Sequence, residues 1–300
     1  MAIATPTQTV ALLTKRCLTM DELESHLNNN GIKCYQEDGI ESDGTLYKFL
    51  RTGLRGQGPD LWINVHHARW PEVIEPHIGT WGDHTFTDGL KRAVQFQVNW
   101  KDAAKAVQEH QAVVLVQRFQ SPADLCSPTE QMAIAVELAR VSLAIGAMPE
   151  VVAYFCPGGE VLLPIAMLDE ILPASKLTGI PPLDLFTNLR LSWLDDRWVI
   201  FETIGNAQLG LPDFEVYADS QQHDLNEIAA WLRRWSLQHF QAEKALQDGS
   251  VASGPGGASF DVIYAKDALL APKRLVIRLI AQDEAKMPGG LPARLRIDRA

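Results

Sequence analysis

Hydrophobic and polar positions follow two different periods along this chain. The run "AVVLVQRF" (112–119) is almost continuously apolar, which is typical of a strand buried on both faces. In "GLKRAVQFQV" and "DLNEIAAWLRRWSLQHF" the apolar residues recur every three to four positions, the period of one helix face. Segments of both kinds alternate through the middle of the chain. The pattern predicts an α/β fold of the mixed α+β kind, with mixed or antiparallel sheets flanked by helices.

Capping residues indicate where several helices begin. Thr19 precedes "MDELESHL", whose first turn is acidic, and Thr87 precedes the "GLKRAVQFQV" pattern. Ser127 and Thr129 are alternative caps for "EQMAIAVELARVSLAIG", the clearest helix in the sequence. Such a side chain offers its oxygen to backbone N–H groups that have no partner in the first turn. We therefore expect helices to start close to these residues.

Three strands are predicted in succession in the C-terminal half. The first two cover 183–194 and 197–205, and Asp195-Asp196 between them is a hairpin signal. The third is "DFEVYA", which a long amphipathic helix follows. These elements predict a β-meander packed with a helix.

The chain is expected to form two interlocked parts. An N-terminal α/β part would cover 1–160, and the meander with its long helix would form a second part over 161–300. The segment "QDGSVASGPGGAS" (247–259) is of low complexity and predicts a flexible loop or short linker.

The stretch "ETIGNAQLGLPDFEVYA" (202–218) has a density of Gly, Pro and acidic residues that resembles the surroundings of a reacting group. It lacks His, Cys, Ser and Lys, so it offers no obvious nucleophile and no base that titrates near neutral pH. Glycine reaches backbone angles closed to other residues, and proline fixes φ before a strand. The residues that would shape a tight turn here are Gly205, Gly210 and Pro212. We interpret the stretch as a corner of the meander that holds the Asp195-Asp196 hairpin in place.

Composition and charge narrow the classes of function. Hydrophobic residues make up 46 % of the 300 residues and charged residues 21 %, as in ordinary globular proteins. The formal net charge of −10 opposes binding to nucleic acid, which needs clustered Lys and Arg, and permits a basic protein partner. No apolar run is long enough to span a bilayer, and the N-terminal residues lack a secretion signal. With four scattered cysteines, these features lead us to expect a cytoplasmic protein with buried free thiols and no membrane partner.

Candidate chemistry is concentrated in a histidine-rich stretch at 66–84. Its imidazoles and three carboxylates are ligands that suit zinc. The histidines are His66, His67, His77 and His84. No pair has the HExxH spacing and two prolines interrupt the stretch, so a polar loop is favoured over a metal site.

Two further stretches carry weaker signals. Cys156 precedes "PGGE", but no cationic group is evident that would activate the thiol. "GLRGQG" (53–58) is glycine-rich without the pattern of a phosphate-binding loop. We therefore expect no catalytic residue, no metal and no cofactor, with a metal-dependent hydrolase built on the 66–84 loop as the alternative.

Acidic residues accumulate around the predicted hairpin. Between 195 and 227 there are eight acids against one base, Arg197. Tryptophans flank the turn, and aromatic anchors beside charge are typical of protein-recognition surfaces. The residues predicted to bind a partner are Trp193, Asp195, Asp196, Trp198, Asp219 and Asp224.

Several motifs together resemble a known family. "NVHHARWPE", "GLKRAVQFQVNW" and "LFTNLRLSWLDDRWVIFETIGNAQLGLPDFEVY" are similar to an uncharacterised bacterial domain family, over roughly residues 10 to 245. Such domains occur beside polymorphic toxins and type VI secretion effectors. The resemblance implies an immunity protein that binds and neutralises a cognate toxin with a basic nuclease domain, and it supplies no catalytic residues. An adaptor module of a secretion system is a further alternative.

Overall fold

The computed structural model describes residues 6–40, 46–52, 60–71, 85–97, 99–119, 127–240 and 246–282. These residues form thirteen strands in two mostly antiparallel sheets, together with six α-helices. The predicted mixed α+β fold is confirmed.

The chain divides into two compact units, Met1–Phe186 and Thr187–Ala300. This boundary lies further along the chain than the predicted one at residue 160. The reason is that Val161–Leu163 forms a strand that pairs with Val151–Cys156, so the chain beyond residue 160 still belongs to the first sheet.

The first unit contains a seven-stranded sheet. Its strands are β1 (Pro6–Thr14), β2 (Cys34–Ile40), β3 (Leu46–Thr52), β4 (Leu61–His66), β5 (Ala112–Phe119), β6 (Val151–Cys156) and β7 (Val161–Leu163). They lie in the order β2-β3-β4-β5-β1-β6-β7, and every neighbouring pair is antiparallel. The first six residues of β5, at the centre, are buried, as its continuous apolar run predicted.

Five helices accompany this sheet. They are α1 (Met20–Asn29), α2 (Gly89–Gln95), α3 (Ala103–Glu109), α4 (Pro128–Gly146) and α5 (Ile165–Thr178). Apolar side chains of α2 and α3 pack in one cluster with residues of β1, β5 and β6. The buried members of that cluster include Leu90, Ala93, Ala103, Ala106, Ala11, Leu115 and Phe155.

Helix caps were predicted with mixed success. Thr19 and Ser127 each accept a hydrogen bond from the backbone of a glutamate three residues on, whose side chain accepts one in return. Thr87 is not the cap of α2. Asp88 occupies that position with a left-handed backbone (φ 56°) and no capping hydrogen bond from its side chain.

The second unit contains a six-stranded sheet and one helix. The elements are β8 (Asn188–Trp193), β9 (Trp198–Ile204), β10 (Asp213–Asp219), β11 (Val251–Ser253), β12 (Ser259–Ala265), β13 (Val276–Ala281) and α6 (Leu225–Phe240). The strands lie in the order β11-β12-β13-β10-β9-β8. β8, β9 and β10 form the predicted antiparallel meander, whereas β13 runs parallel to β10.

Two segments of this unit differ from expectation. The strand predicted over 183–194 begins only at Asn188, because Leu183–Leu185 forms a short 3-10 turn. The predicted flexible segment 247–259 contains β11, which pairs with β12 through Ala252 and Phe260.

Helix α6 covers one face of the second sheet. Its buried residues Ile228, Leu232 and Trp235 share a core with Val199 and Phe214 of the sheet. Their spacing of three to four residues places them on one helix face, which explains the amphipathic pattern.

The turn between β9 and β10 is tight. Gly205 (φ 111°) and Gly210 (φ 71°) bracket a short 3-10 segment, Asn206–Leu209, and both have the left-handed backbone that favours glycine. Pro212 immediately precedes β10. The turn therefore fixes how the chain passes from β9 to β10.

Candidate functional site

The β8–β9 hairpin presents an exposed indole beside two exposed carboxylates. Trp193, the last residue of β8, is 55 % exposed, and Asp195 and Asp196 are exposed in the turn that follows. We call these three residues the tip patch. The side chain of Asp195 is oriented by the backbone of the same turn, since its Oδ1 accepts the N–H groups of Arg197 (2.8 Å) and Trp198 (2.6 Å). A shallow surface depression is lined by the tip patch and Leu194.

The hairpin is tied to the turn that follows β10. The guanidinium of Arg197 forms an ion pair with Asp219, and the hydroxyl and N–H of Ser220 both donate to the Arg197 carbonyl. This ion pair lowers the pKa of Asp219 below its ordinary value, because Arg197 donates a hydrogen bond to the charged form. The tip patch is therefore held by the neighbouring strand rather than projecting alone.

Two of the six predicted partner-binding residues are not on the surface. Trp198 is 4 % exposed and packs with Ile200 and Tyr217, and Asp219 is 2 % exposed beside Arg197. Their inclusion in an exposed patch is corrected. The reason for Trp198 is strand alternation, which turns it toward the same buried side as Ile200.

The remaining predicted residue, Asp224, is exposed at the start of α6, where its Oδ1 accepts the N–H of Asn226 (2.8 Å). It lies in the turn after β10, the turn that Ser220 fastens to the hairpin. Asp224 is thus an exposed acidic residue at the end of this turn, and its side chain caps α6.

A cavity of about 250 Å³ is lined in part by Trp198 and Asp219, two of the residues predicted to bind a partner. Gln222, His223 and Ser259 contribute further polar side chains to its wall. It lies where β10 and β13 end and β12 begins. Sequence reasoning did not find it, because its wall comes from four segments that are distant along the chain.

The six-stranded sheet, which includes the two hairpin strands, carries a row of buried charges. The register aligns Arg190, Glu202, Glu215 and Arg278 on four neighbouring strands, and we call these four residues the charge row. The Nε of Arg190 donates to Glu202 (3.1 Å), and the Nε of Arg278 donates to Glu215 (3.0 Å). All four residues are at most 2 % exposed.

Arg274 and Asp213 extend the charge row. Arg274 donates to Glu202 Oε2 (2.9 Å) and to Asp213 Oδ2 (3.2 Å). Asp213 also accepts from the Thr203 hydroxyl and from the N–H of Asn206, both at 3.1 Å. Three arginines thus face three carboxylates, and the formal charges cancel.

Burial raises the pKa of both Asp213 and Glu215, and the neighbouring arginines oppose that rise. Every carboxylate of the cluster already accepts hydrogen bonds, and none of its six residues lines the cavity described above. The ion pairs of the cluster therefore link β8, β9, β10 and β13 in one register. A charged residue in the middle of "LRLSW", "FETI", "FEVY" and "VIRLI" was the sequence signal that could have revealed it.

The predicted histidine-rich stretch is only partly described. His66 ends β4 and His67 follows it, whereas His77, His84 and the other residues of 72–84 lie outside the described residues, as does 53–59 with its "GLRGQG" segment. Over the part of the chain that the structure describes, no group of three His, Cys, Asp or Glu side chains could hold a metal ion.

The "PGGE" segment has a structural role. Cys156 is 1 % exposed, and the buried Glu160 forms an ion pair with Arg92 of α2 (2.5 Å). The thiol of Cys156 is buried and inaccessible, as predicted for a structural cysteine.

Part of the second unit matches a known protein family. Residues 202–280 match a family described as a domain of unknown function, DUF4261. The predicted resemblance to an uncharacterised domain family is confirmed for this stretch, which contains Glu202, Asp213, Glu215, Arg274 and Arg278. No curated protein and no solved structure matches the chain. Among the described residues, no helix combines the length and the apolar character needed to cross a membrane.

Proposed function

We propose that this chain is an immunity protein that binds a cognate antibacterial toxin in the cytoplasm and neutralises it by stoichiometric inhibition, without turnover. The toxin would be a type VI secretion effector with a basic nuclease domain. The observation that carries the proposal is the tip patch, in which an exposed indole stands beside two exposed carboxylates.

Charge favours a basic partner. A nuclease must attract phosphate groups, so its catalytic cleft carries cationic side chains. The carboxylates of Asp195 and Asp196 would occupy the place of backbone phosphates in such a cleft. The net charge of −10 adds long-range attraction, which accelerates encounter with a cationic surface.

Preorganisation favours tight binding. Asp195 is fixed by two hydrogen bonds from its own turn, and Trp198 anchors the start of β9 in the core. Arg197 is held by Asp219. Little conformational freedom would therefore be lost when a partner binds, and that loss is a main cost of association.

Trp193 supplies the apolar contact that charges alone lack. A tryptophan at the centre of an interface, surrounded by polar groups that exclude water, is among the commonest binding hot spots. Trp193 is the one tryptophan among the described residues with more than a third of its surface exposed. It would enter an apolar depression on the toxin while Asp195 and Asp196 pair with cations at its rim.

The sequence resemblance supports the same class of protein. Its motifs are similar to bacterial domains that occur beside polymorphic toxins, and the match at 202–280 covers the strands that hold the hairpin. The family itself has no assigned function, so the immunity role rests on the tip patch and on that genomic association.

Co-expression with the toxin encoded next to this gene tests the proposal. We expect a complex that survives size-exclusion chromatography, survival of toxin-expressing cells, and nuclease activity that falls linearly to zero at a fixed molar ratio. Absence of both the complex and the protection would overturn the proposal. Complete inhibition at a few per cent of the toxin concentration would indicate an enzyme instead.

A further inference from the structure

Cys17 and His67 meet at one end of the seven-stranded sheet. Cys17 follows β1 and His67 follows β4, and both strands run antiparallel to β5, which lies between them. Although the two residues are 50 positions apart in sequence, the Sγ of Cys17 lies 2.8 Å from the Nδ1 of His67. Cys17 is partly exposed and His67 is exposed, so small molecules can reach the pair.

The charges around Cys17 do not favour a free thiolate. Burial raises the pKa of the Cys17 thiol, Glu22 acts in the same direction, and Arg16 opposes both. The guanidinium of Arg16 is itself bonded to Glu22 (2.9 Å) and Glu150 (2.7 Å), whose charges offset its own. The thiol therefore needs a base to take its proton. The Leu18 carbonyl lies 3.5 Å from Sγ and cannot act as that base, whereas the imidazole of His67, at 2.8 Å, can.

We propose that Cys17 and His67 form a reactive pair that exchanges with low-molecular-mass disulfides. His67 Nδ1 accepts the Sγ–H proton as the Sγ of Cys17 attacks one sulfur of the disulfide. A new S–S bond joins Cys17 to that sulfur, the original S–S bond breaks, and the other half leaves as a thiolate. That thiolate takes the proton from the imidazolium, so the products are a mixed disulfide on Cys17 and one free thiol.

The other described cysteines lack this arrangement. Burial raises the pKa of Cys34 to about 11, and its Sγ is 4.0 Å from the Glu24 carbonyl with no imidazole in contact. Cys156 is 1 % exposed. A disulfide should therefore modify Cys17 in preference to Cys34 and Cys156, in a unit of the chain separate from the tip patch.

The experiment uses 4,4′-dithiodipyridine on the full-length protein at pH 7, with peptide mass spectrometry to assign each modified cysteine. We expect Cys17 to react before Cys34 and Cys156. We expect His67→Gln to slow the reaction of Cys17 by at least about tenfold, a threshold below the roughly hundredfold or larger effect typical of a general base. His223→Gln, a control far along the chain, should leave the rate unchanged. Circular dichroism will confirm that each variant is folded.

Chemical rescue separates base catalysis from a change in packing. Imidazole added to folded His67→Ala should accelerate the reaction of Cys17 and not that of Cys34. An unchanged Cys17 rate in His67→Gln, a Cys17 rate no faster than that of Cys34, or failure of imidazole to restore any rate would overturn the proposal.

Discussion

Glu202 lies directly opposite Glu215 in the register of β9 and β10, and both side chains are fully buried. Like charges in such a cross-strand pair are destabilising. Here each carboxylate bonds to a different arginine on the far side, Glu202 to Arg190 and Glu215 to Arg278. The row therefore reads cation, anion, anion, cation across β8, β9, β10 and β13. A shift of β8 against β9 would separate Arg190 from Glu202, and a shift of β13 against β10 would separate Arg278 from Glu215. We interpret this arrangement as a device that fixes strand register, because a slip by one residue would also reverse the faces of all side chains.

Arg278→Met should lower the free energy of unfolding by about 3–5 kcal/mol, because it leaves the buried Glu215 without its cation. Urea unfolding followed by circular dichroism measures the change. Arg278→Met combined with Glu215→Met should recover much of the loss, since neither charge then remains buried. A double variant that is no more stable than Arg278→Met, or whose loss equals the sum of the losses in the two single variants, would show that the two side chains do not act as a pair.

Gly210→Val should destabilise the protein without altering the contacts of the tip patch. Gly210 has φ 71°, and a left-handed backbone costs a residue with a Cβ about 1–2 kcal/mol. Gly210→Asn is the matched control, because asparagine tolerates this conformation better and should cost less. Thermal unfolding ranks the variants, and equal melting temperatures for Val and Asn would contradict the backbone explanation. A folded Gly210→Val protein that had lost partner binding would show that the turn does more than shape the sheet.

The sequence alone was sufficient where the cause of structure is local. The capping side chains of Thr19 and Ser127, the apolar run of β5, and the Asp195-Asp196 hairpin all depend on neighbours within a few residues. Each was therefore predictable from spacing. Asp88 was missed because its left-handed backbone has no signal in the residue type beyond a weak preference.

The features that were missed depend on distant parts of the chain. Alternation along β9 shows that Trp198 and Ile200 share a face, but only the packing of Leu269 and Leu270 in the same cluster shows that this face is buried. Likewise Cys17 and His67 come together only because β1 and β4 flank the same strand. Register between strands is a property of the whole sheet, so a single sequence cannot supply it.

The stability that comes from buried neutral histidines should decline as the pH falls below about 6.5, the ordinary pKa of histidine. His110 is buried, its Nε2 accepts the N–H of Trp70 (2.9 Å), and burial lowers its pKa. The unfolded chain therefore takes up a proton at a higher pH than the folded chain does. The stabilising contribution is present above the unfolded pKa and is lost as the pH falls toward the lowered folded value. His66 and His239, whose pKa values burial also lowers, act in the same direction.

Urea unfolding at pH 8, 7, 6 and 5 measures this dependence, and His110→Gln should reduce its slope between pH 7 and 5. The variant will be less stable at pH 8, so the comparison is between slopes rather than absolute values. Identical slopes in the wild type and in His110→Gln would rule out His110 as a source of the acid sensitivity.

Reversal of charge at the tip patch should weaken binding to a basic partner mainly by slowing association. Asp195→Lys with Asp196→Lys changes two exposed carboxylates, so the fold should be retained. Because the change also removes the two hydrogen bonds that Asp195 Oδ1 accepts in the turn, circular dichroism checks the fold first. Surface plasmon resonance at low and at high salt should show a large loss of association rate at low salt and a smaller one at high salt, because salt screens exposed charges. Trp193→Ala should instead raise the dissociation rate, since it removes an apolar contact, at a cost of about 2 kcal/mol or more if this indole is a hot spot.

Asp169→Lys with Glu170→Lys is the matched control for this prediction. These acids are also adjacent and exposed, on α5 in the other unit, so the double variant makes the same change in net charge at a different place. If the two double variants slowed association equally, net charge rather than the tip patch would attract the partner. A tip-patch variant that is folded and binds normally would place the interface on another surface, because direct contact between these carboxylates and a cation cannot survive their reversal.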